Sequence, residues 1–260
     1  MTAEQLLDEM DRNGVTHAAI VQRGSVYGFD NSYVCDSADR YPGRLAAVCS
    51  IDTSRPSSGD SVFHWVQERG AAGIRLMELV RGTGTAWLDG PHALEAWAAA
   101  ADLGTPVCLH FFPWNREAGL TRLADTLRRF PTLTVVIDHL GAISSSDGPP
   151  DYGVDTLLET LAAFNGVALK FTTIPLGRHY DAGIDSRAVI RRVADLFGVE
   201  RMLWGSDITQ SPGSYAHMAA LARHAVSAFT PREQDQMLVR TSLRIYGQGW
   251  GAPARQAAAT

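Results

Sequence analysis

Val136-Ile137-Asp138-His139-Leu140-Gly141 reads as a short strand that delivers two ionisable groups at its end and breaks into a glycine turn. The residues leading into it are β-branched and apolar, which suits a strand buried on both faces. With Thr134–Asp138 as the reference, six further runs of the same kind stand out. They are His17–Val21, Leu45–Ile51, Gly73–Met77, Pro106–His110, Val167–Phe171 and Arg201–Trp204. Between them apolar residues recur at three- and four-residue intervals, the spacing of one helix face. Caps mark several of these helices: Thr2 with Gln5, Asp89 with Pro91 ahead of Pro91–Leu103 and its Gly104 stop, Asp185, and Thr230-Pro231 with Glu233.

Strands alternating with helices make parallel sheets with right-handed crossovers. An open doubly wound sheet would carry a phosphate-binding glycine loop after an early strand. Gly82-Thr83-Gly84 lacks the rest of that fingerprint and reads as a turn. The expectation is therefore an α/β fold, a (β/α) TIM-type barrel with seven recognisable parallel strands. The chain opens with a helix, so the usual first strand is missing. Either the seven strands close directly or something else covers the gap between His17–Val21 and Arg201–Trp204; such edges are templates for association, which implies a homo-oligomer. Residues 1–250 read as a single domain, and the small, Ala-rich stretch 251–260 as a disordered tail.

The formal net charge of −5, with no basic stretch, argues against nucleic acid or an anionic membrane as partner and leaves a small molecule. Cys35, Cys49 and Cys108 are odd in number and lack metal-type spacing, so they read as buried, reduced thiols. Met1–Asn13 has no apolar run of a secretory leader, and no segment reaches the ~18 apolar residues of a membrane span. A cytoplasmic protein is expected.

In a parallel barrel the loops after the strands converge on one mouth. The residues at those strand ends are Arg75 and Glu78, His110, Asp138-His139, Lys170 and Asp207. Each has a plain structural alternative: Asp138 as a helix cap, Arg75 paired with Glu78, Lys170 in solvent. Together they fit metal binding or proton transfer.

The local words sharpen this. Leu109-His110-Phe111-Phe112-Pro113-Trp114, Asp138-His139-Leu140-Gly141 and Gly205-Ser206-Asp207, with Tyr27-Gly28-Phe29-Asp30-Asn31 and Gly73-Ile74-Arg75, resemble the second amidohydrolase family of metal-dependent hydrolases, decarboxylases and pyrone dicarboxylate lactonases. The resemblance runs from Met1 to about Tyr246. It implies a metal-ligand role for His110, a polarising or proton-shuttling role for His139, and metal binding and proton acceptance for Asp207. Tyr27, Asn31, Arg75, Phe112, Trp114 and Lys170 are the expected substrate contacts.

One departure matters. The family's opening His-x-His strand has no counterpart here. His110 and Asp207 are only two ligands, where a catalytic zinc usually takes three from the protein. Three explanations compete: a lost first strand, chemistry without metal, or a distant third ligand such as His179. Without metal, Asp207 acts as base while His139 and Arg75 hold the oxyanion, which favours an activated C–O bond, a lactone or ester of a small cyclic or aromatic carboxylate. A decarboxylase on the same scaffold and a catalytically inactive binding barrel are the alternatives. Gly177 and Gly183 mark Ile174–Ile184 as a mobile lid.

Overall fold

In the computed structural model, which describes residues 1–250, seven parallel strands form one sheet in sequence order. They are β1 (Ala18–Val21), β2 (Leu45–Ser50), β3 (Gly73–Met77), β4 (Val107–His110), β5 (Val135–Ile137), β6 (Val167–Thr172) and β7 (Met202–Gly205). All seven expected strands are present. The expected disorder of 251–260 lies outside the described residues.

Alternation along the strands builds two cores. Val107 and Leu109, Val135 and Ile137, and Val167 and Leu169 point outward and pack on helix residues Trp97, Leu120, Leu158 and Val189. Cys108, Val136 and Ala168 point the other way and meet Ala46, Val48, Leu203, Ile245 and Tyr246 on the lumen floor. The helix Thr241–Ile245 and the residues after it thus close the foot of the barrel from below. Gly249 comes so near the wall there that a Cβ would stand 2.7 Å from that of Ala72.

The capping signals hold except at Asp89. Thr2 with Gln5 and Thr230 with Glu233 form reciprocal capping boxes, and Asp185 caps Ser186–Phe197. Asp89 does not start its helix. It ends the short turn Ala86–Asp89, and Gly90 takes the N-cap of Pro91–Leu103. Among the described residues no helix is long and apolar enough to cross a membrane.

The seven strands do not close directly. β1 and β7 are the two ends of the sheet order and are not paired with each other. The opening helix Ala3–Arg12 covers the gap from outside, where Ala3 and Met10 pack with Leu45 and Tyr215, and with Ala18 and Trp204 at the periphery. Beneath that helix a cavity of about 870 Å³ runs from the mouth to the foot, lined by both β1 and β7.

Candidate active site

At the mouth, β3, β4, β5, β6 and β7 bring Arg75, His110, Asp138, His139, Lys170 and Asp207 to the wall of this one cavity. The convergence expected for His110, His139 and Asp207 is what the fold produces.

Asp138 is the electrostatic centre. Lys170 Nζ stands 2.6 Å from its Oδ1, and Arg75 Nη2 pairs with its Oδ2. The Asp138 side chain is only 3% exposed. Burial alone would raise its pKa, but Lys170 and Arg75 reverse the sign and hold it ionised far below the usual carboxylate range. Lys170 is raised in turn: burial pulls it down, but the Asp138 charge, with Cys108, Tyr246 and the Asp138 hydrogen bond added, outweighs burial. Gly205 makes room for this pair: a Cβ there would lie 2.9 Å from Lys170 Cδ. Asp138 therefore does not cap the turn after its strand; its side chain makes no capping bond. Nor is Lys170 in solvent.

Arg75 does not pair with Glu78. The Glu78 carboxylate accepts from the backbone N–H of Gly82 (2.8 Å) and Thr83 (3.0 Å), from Trp114 Nε1 (2.9 Å) and from Asn115 Nδ2 (2.7 Å). It ties the loop after β3 to the loop after β4, and these bonds depress its pKa against burial.

The two histidines are neutral. Arg75 Nη2 donates to His110 Nδ1 at 3.0 Å, and since guanidinium only donates, the His110 proton sits on Nε2. Burial first, then Arg75, pushes His110 well below its usual value, and burial lowers His139 to about 4. His139 Nδ1 meets Thr172 Oγ1 at 2.6 Å, while its buried Nε2 has no partner among the described residues. The two imidazoles meet edge to face with centroids 4.6 Å apart.

Asp207 differs from Asp138 in having no cation in contact among the described residues. Burial and the nearby Asp138 charge raise it to about 6, with Ser211 Oγ donating at 3.3 Å. It also adopts a left-handed backbone, φ +54°. The turn after β5 does the same over four residues: His139 (+54°), Leu140 (+54°), Gly141 (+66°) and Ala142 (+53°). Only Gly141 suits that conformation. The strain at the others, roughly 1–2 kcal/mol each, sits beside the reactive groups.

The expected substrate contacts divide. Tyr27, Phe112, Arg75 and Lys170 line the cavity. Trp114 stacks behind Phe112 at 4.3 Å rather than lining it. Asn31 is withdrawn from the site: fully buried, it clamps Ser50 N (2.7 Å) and Ser50 O (3.0 Å). Ile174–Ile184 is not a loop; Thr173–Asp181 is helical, with Pro175, Leu176 and His179 buried. His179 does not line the cavity and is no third ligand. The residues that sequence reasoning passed over are Asp138 as an ionic centre, signalled by the Lys and Arg at neighbouring strand ends, and Thr172.

One ligand atom each from His110, Asp138 and His139 lies within 4.8 Å of the others, close enough to hold an ion. Yet both Asp138 oxygens already meet cations and Arg75 occupies His110 Nδ1. A divalent ion here would sit against Arg75 and Lys170. As arranged, the residues do not fit one.

Comparison with known proteins gives the family and the fold. A family model described as amidohydrolase matches residues 2–248. An L-fucono-1,5-lactonase of Burkholderia ambifaria is 28% identical over 75% of the chain, and the match spans 66% of that relative, just under two thirds. A 4-sulfomuconolactone hydrolase of Hydrogenophaga intermedia is 25% identical over 86% of the chain and 72% of the relative. Among solved structures, a probable 2-pyrone-4,6-dicarboxylic acid hydrolase of Acinetobacter baumannii superposes with TM-score 0.71 at 19% identity, over 95% of this chain and 89% of that one. A 2,6-dihydroxybenzoate decarboxylase gives TM-score 0.71 at 12% identity, over 94% and 87%. A zinc-bound amidohydrolase of Burkholderia multivorans gives 0.72 at 19%, over 95% and 88%. At these identities the three structures speak for the fold.

Proposed function

This chain belongs to the amidohydrolase family, and from that premise we propose that it hydrolyses an activated C–O bond, a lactone or ester of a small cyclic or aromatic carboxylate. The observation that carries the reading is the contrast between the two acids. Asp138 is spent on Arg75 and Lys170, whereas Asp207 has no cation contact among the described residues and is raised to about 6. A carboxylate so raised is ionised near neutral pH and more basic than an ordinary aspartate, as a general base should be.

In this reading Asp207 takes a proton from water as the water oxygen attacks the carbonyl carbon. The developing oxyanion is met by the cationic side of the cluster, Arg75 and Lys170, and by His139 Nε2–H, with Thr172 Oγ1 donating to Nδ1 to keep that proton outward. Asp207 then returns its proton to the leaving oxygen as the C–O bond breaks, and a hydroxy acid results. Arg75, which lines the cavity, also offers a guanidinium to a substrate that carries a carboxylate. The two relatives named as lactone hydrolases support the reaction class. The decarboxylase fold neighbour superposes equally well, so fold alone does not separate the two chemistries.

The test is a panel of lactones, including L-fucono-1,5-lactone and dihydrocoumarin, assayed by proton release. Hydroxybenzoates are followed in parallel for CO2. Lactone opening that falls 10²–10⁴-fold in Asp207→Asn is expected. CO2 release without lactone opening would replace this reading with the decarboxylase.

A further inference from the structure

A buried carboxylate ordinarily pairs with a cation. Glu78 is buried at the mouth and is held by neutral donors instead. Its two oxygens face different loops. Oε1 takes the backbone N–H groups of Gly82 and Thr83, and Oε2 takes Trp114 Nε1 and Asn115 Nδ2. Asn115 passes the hold on, because its Oδ1 accepts from Phe112 N at 2.8 Å. Trp114 lies flat against Phe112, the planes 6° apart, with the Arg81 guanidinium 4.8 Å over the Trp114 ring. Phe112 in turn meets His110, with centroids 4.4 Å apart. Rings at 4.3 and 4.4 Å do not fit side by side on one face of a benzene ring, so Phe112 is sandwiched between Trp114 and His110. It offers a substrate its edge and is no stacking platform. Tying two loops together needs one bond; here a single oxygen fixes both the ring behind Phe112 and the side chain that grips its backbone.

The clamped column ends on a donor. Arg75 takes His110 Nδ1, which leaves the proton on Nε2. That nitrogen has no partner among the described residues, and unlike His139 Nε2 it is not sealed from the cavity that His110 lines. We propose that Glu78 is a positioning residue: through Asn115 and Trp114 it presses Phe112 against His110 and so aims the His110 Nε2–H at the substrate carbonyl. This rests on the lactone reading above for the reaction, and on the contacts of Glu78 for the clamp.

The experiment exchanges donor and acceptor inside the network. Glu78→Gln turns an acceptor toward Asn115 into a donor, and Asn115→Asp sets two carboxylates face to face. Combined, they restore complementarity, since the Gln amide donates to the Asp while Phe112 N keeps its acceptor. The His110 ring Cε1–H signal is followed by NMR and assigned by its loss in His110→Gln. Phe112→Leu supplies its position without the stacked ring. Thermal unfolding checks folding, and Trp114→Ala, at a position 47% exposed, gives a second break in the clamp that does not open the core. Each single break should move the His110 signal toward its Phe112→Leu position and lower kcat for a lactone about 10–100-fold with KM little changed. The Glu78→Gln, Asn115→Asp pair should return both. An unmoved signal in Glu78→Gln and Trp114→Ala overturns the clamp. A moved signal with unchanged kcat overturns the aiming, since the His110 N–H is then idle. The signal needs no substrate, so a wild-type protein that opens no lactone fails the reaction proposed above and leaves the clamp to be judged by the signal.

Discussion

Replacing Asp138 by Asn removes the carboxylate that touches two buried cations. Side-chain exposure is 12% for Arg75 and 11% for Lys170, so neither recovers full hydration by a small rotation. Breaking one partner out of a buried pair costs about 3–5 kcal/mol, because the remaining charge is left uncompensated. For a chain of this size each kcal/mol moves the melting temperature by roughly 2–4 °C, so Asp138→Asn should melt on the order of 10 °C below wild type at pH 7. The sign of the pH dependence follows from the depressed Asp138 pKa. Its contribution is present above the unfolded value near 4 and is lost as pH falls below it, so the difference between the two proteins should narrow in acid. Lys170→Met in the Asp138→Asn background removes one stranded cation and should recover at least half of the loss. The assay is thermal unfolding of wild type, both single variants and the double variant. An Asp138→Asn protein melting within 2 °C of wild type, or a double variant no better than Asp138→Asn, would refute the view of Asp138 as a buried countercharge.

Asp207, raised to about 6 by burial, should show the reverse linkage. Its folded value lies above its unfolded one, so ionisation costs stability as pH rises through 6, and Asp207→Asn should be more stable than wild type at pH 8 by on the order of 2 kcal/mol, with little gain at pH 4, by urea unfolding. The same titration should appear in kcat/KM for a lactone, falling tenfold per unit below about pH 6; a flat profile from pH 5 to 8 removes Asp207 as base. Thr172→Val deprives His139 Nδ1 of its partner and should lower kcat about tenfold with KM little changed, and Thr172→Ser should restore it. Exhaustive chelation should leave lactone hydrolysis unchanged; loss on chelation and return with zinc would show that Arg75 yields its place to a metal.

The strands were legible because each is an apolar run whose neighbours differ in period, and the mouth residues because a parallel sheet sends every strand end to one side. Asp138 was harder. A single acid at a strand end has the same sequence signature whether it caps a turn or neutralises two cations, and only the β3–β6 register decides that Arg75 and Lys170 reach it. Asn31 shows the opposite failure: it sits within a recognisable word, but its amide faces Ser50 and the core. Thr172 carries no signal, since its hydroxyl matters only once His139 has turned toward it. The open seam was announced by the helix-first order, but whether seven strands close is a matter of barrel curvature, which no local pattern encodes.

The left-handed turn at His139–Ala142 has a consequence for how this protein responds to selection. Three of its four residues, and Asp207 across the mouth, hold a conformation that their side chains disfavour. Glycine at any of them relaxes the backbone, although His139 and Asp207 lose their functional groups in the exchange. A laboratory population screened only for survival of heating therefore has a downhill route at the very positions proposed for chemistry, and should accumulate Asp207→Gly, Asp207→Asn or His139→Gly early. The same population held to turnover has Leu140 and Ala142 left as outlets, with the former pinned by its full burial. Ala142→Gly is then the substitution both regimes share, and the two lineages diverge on either side of it.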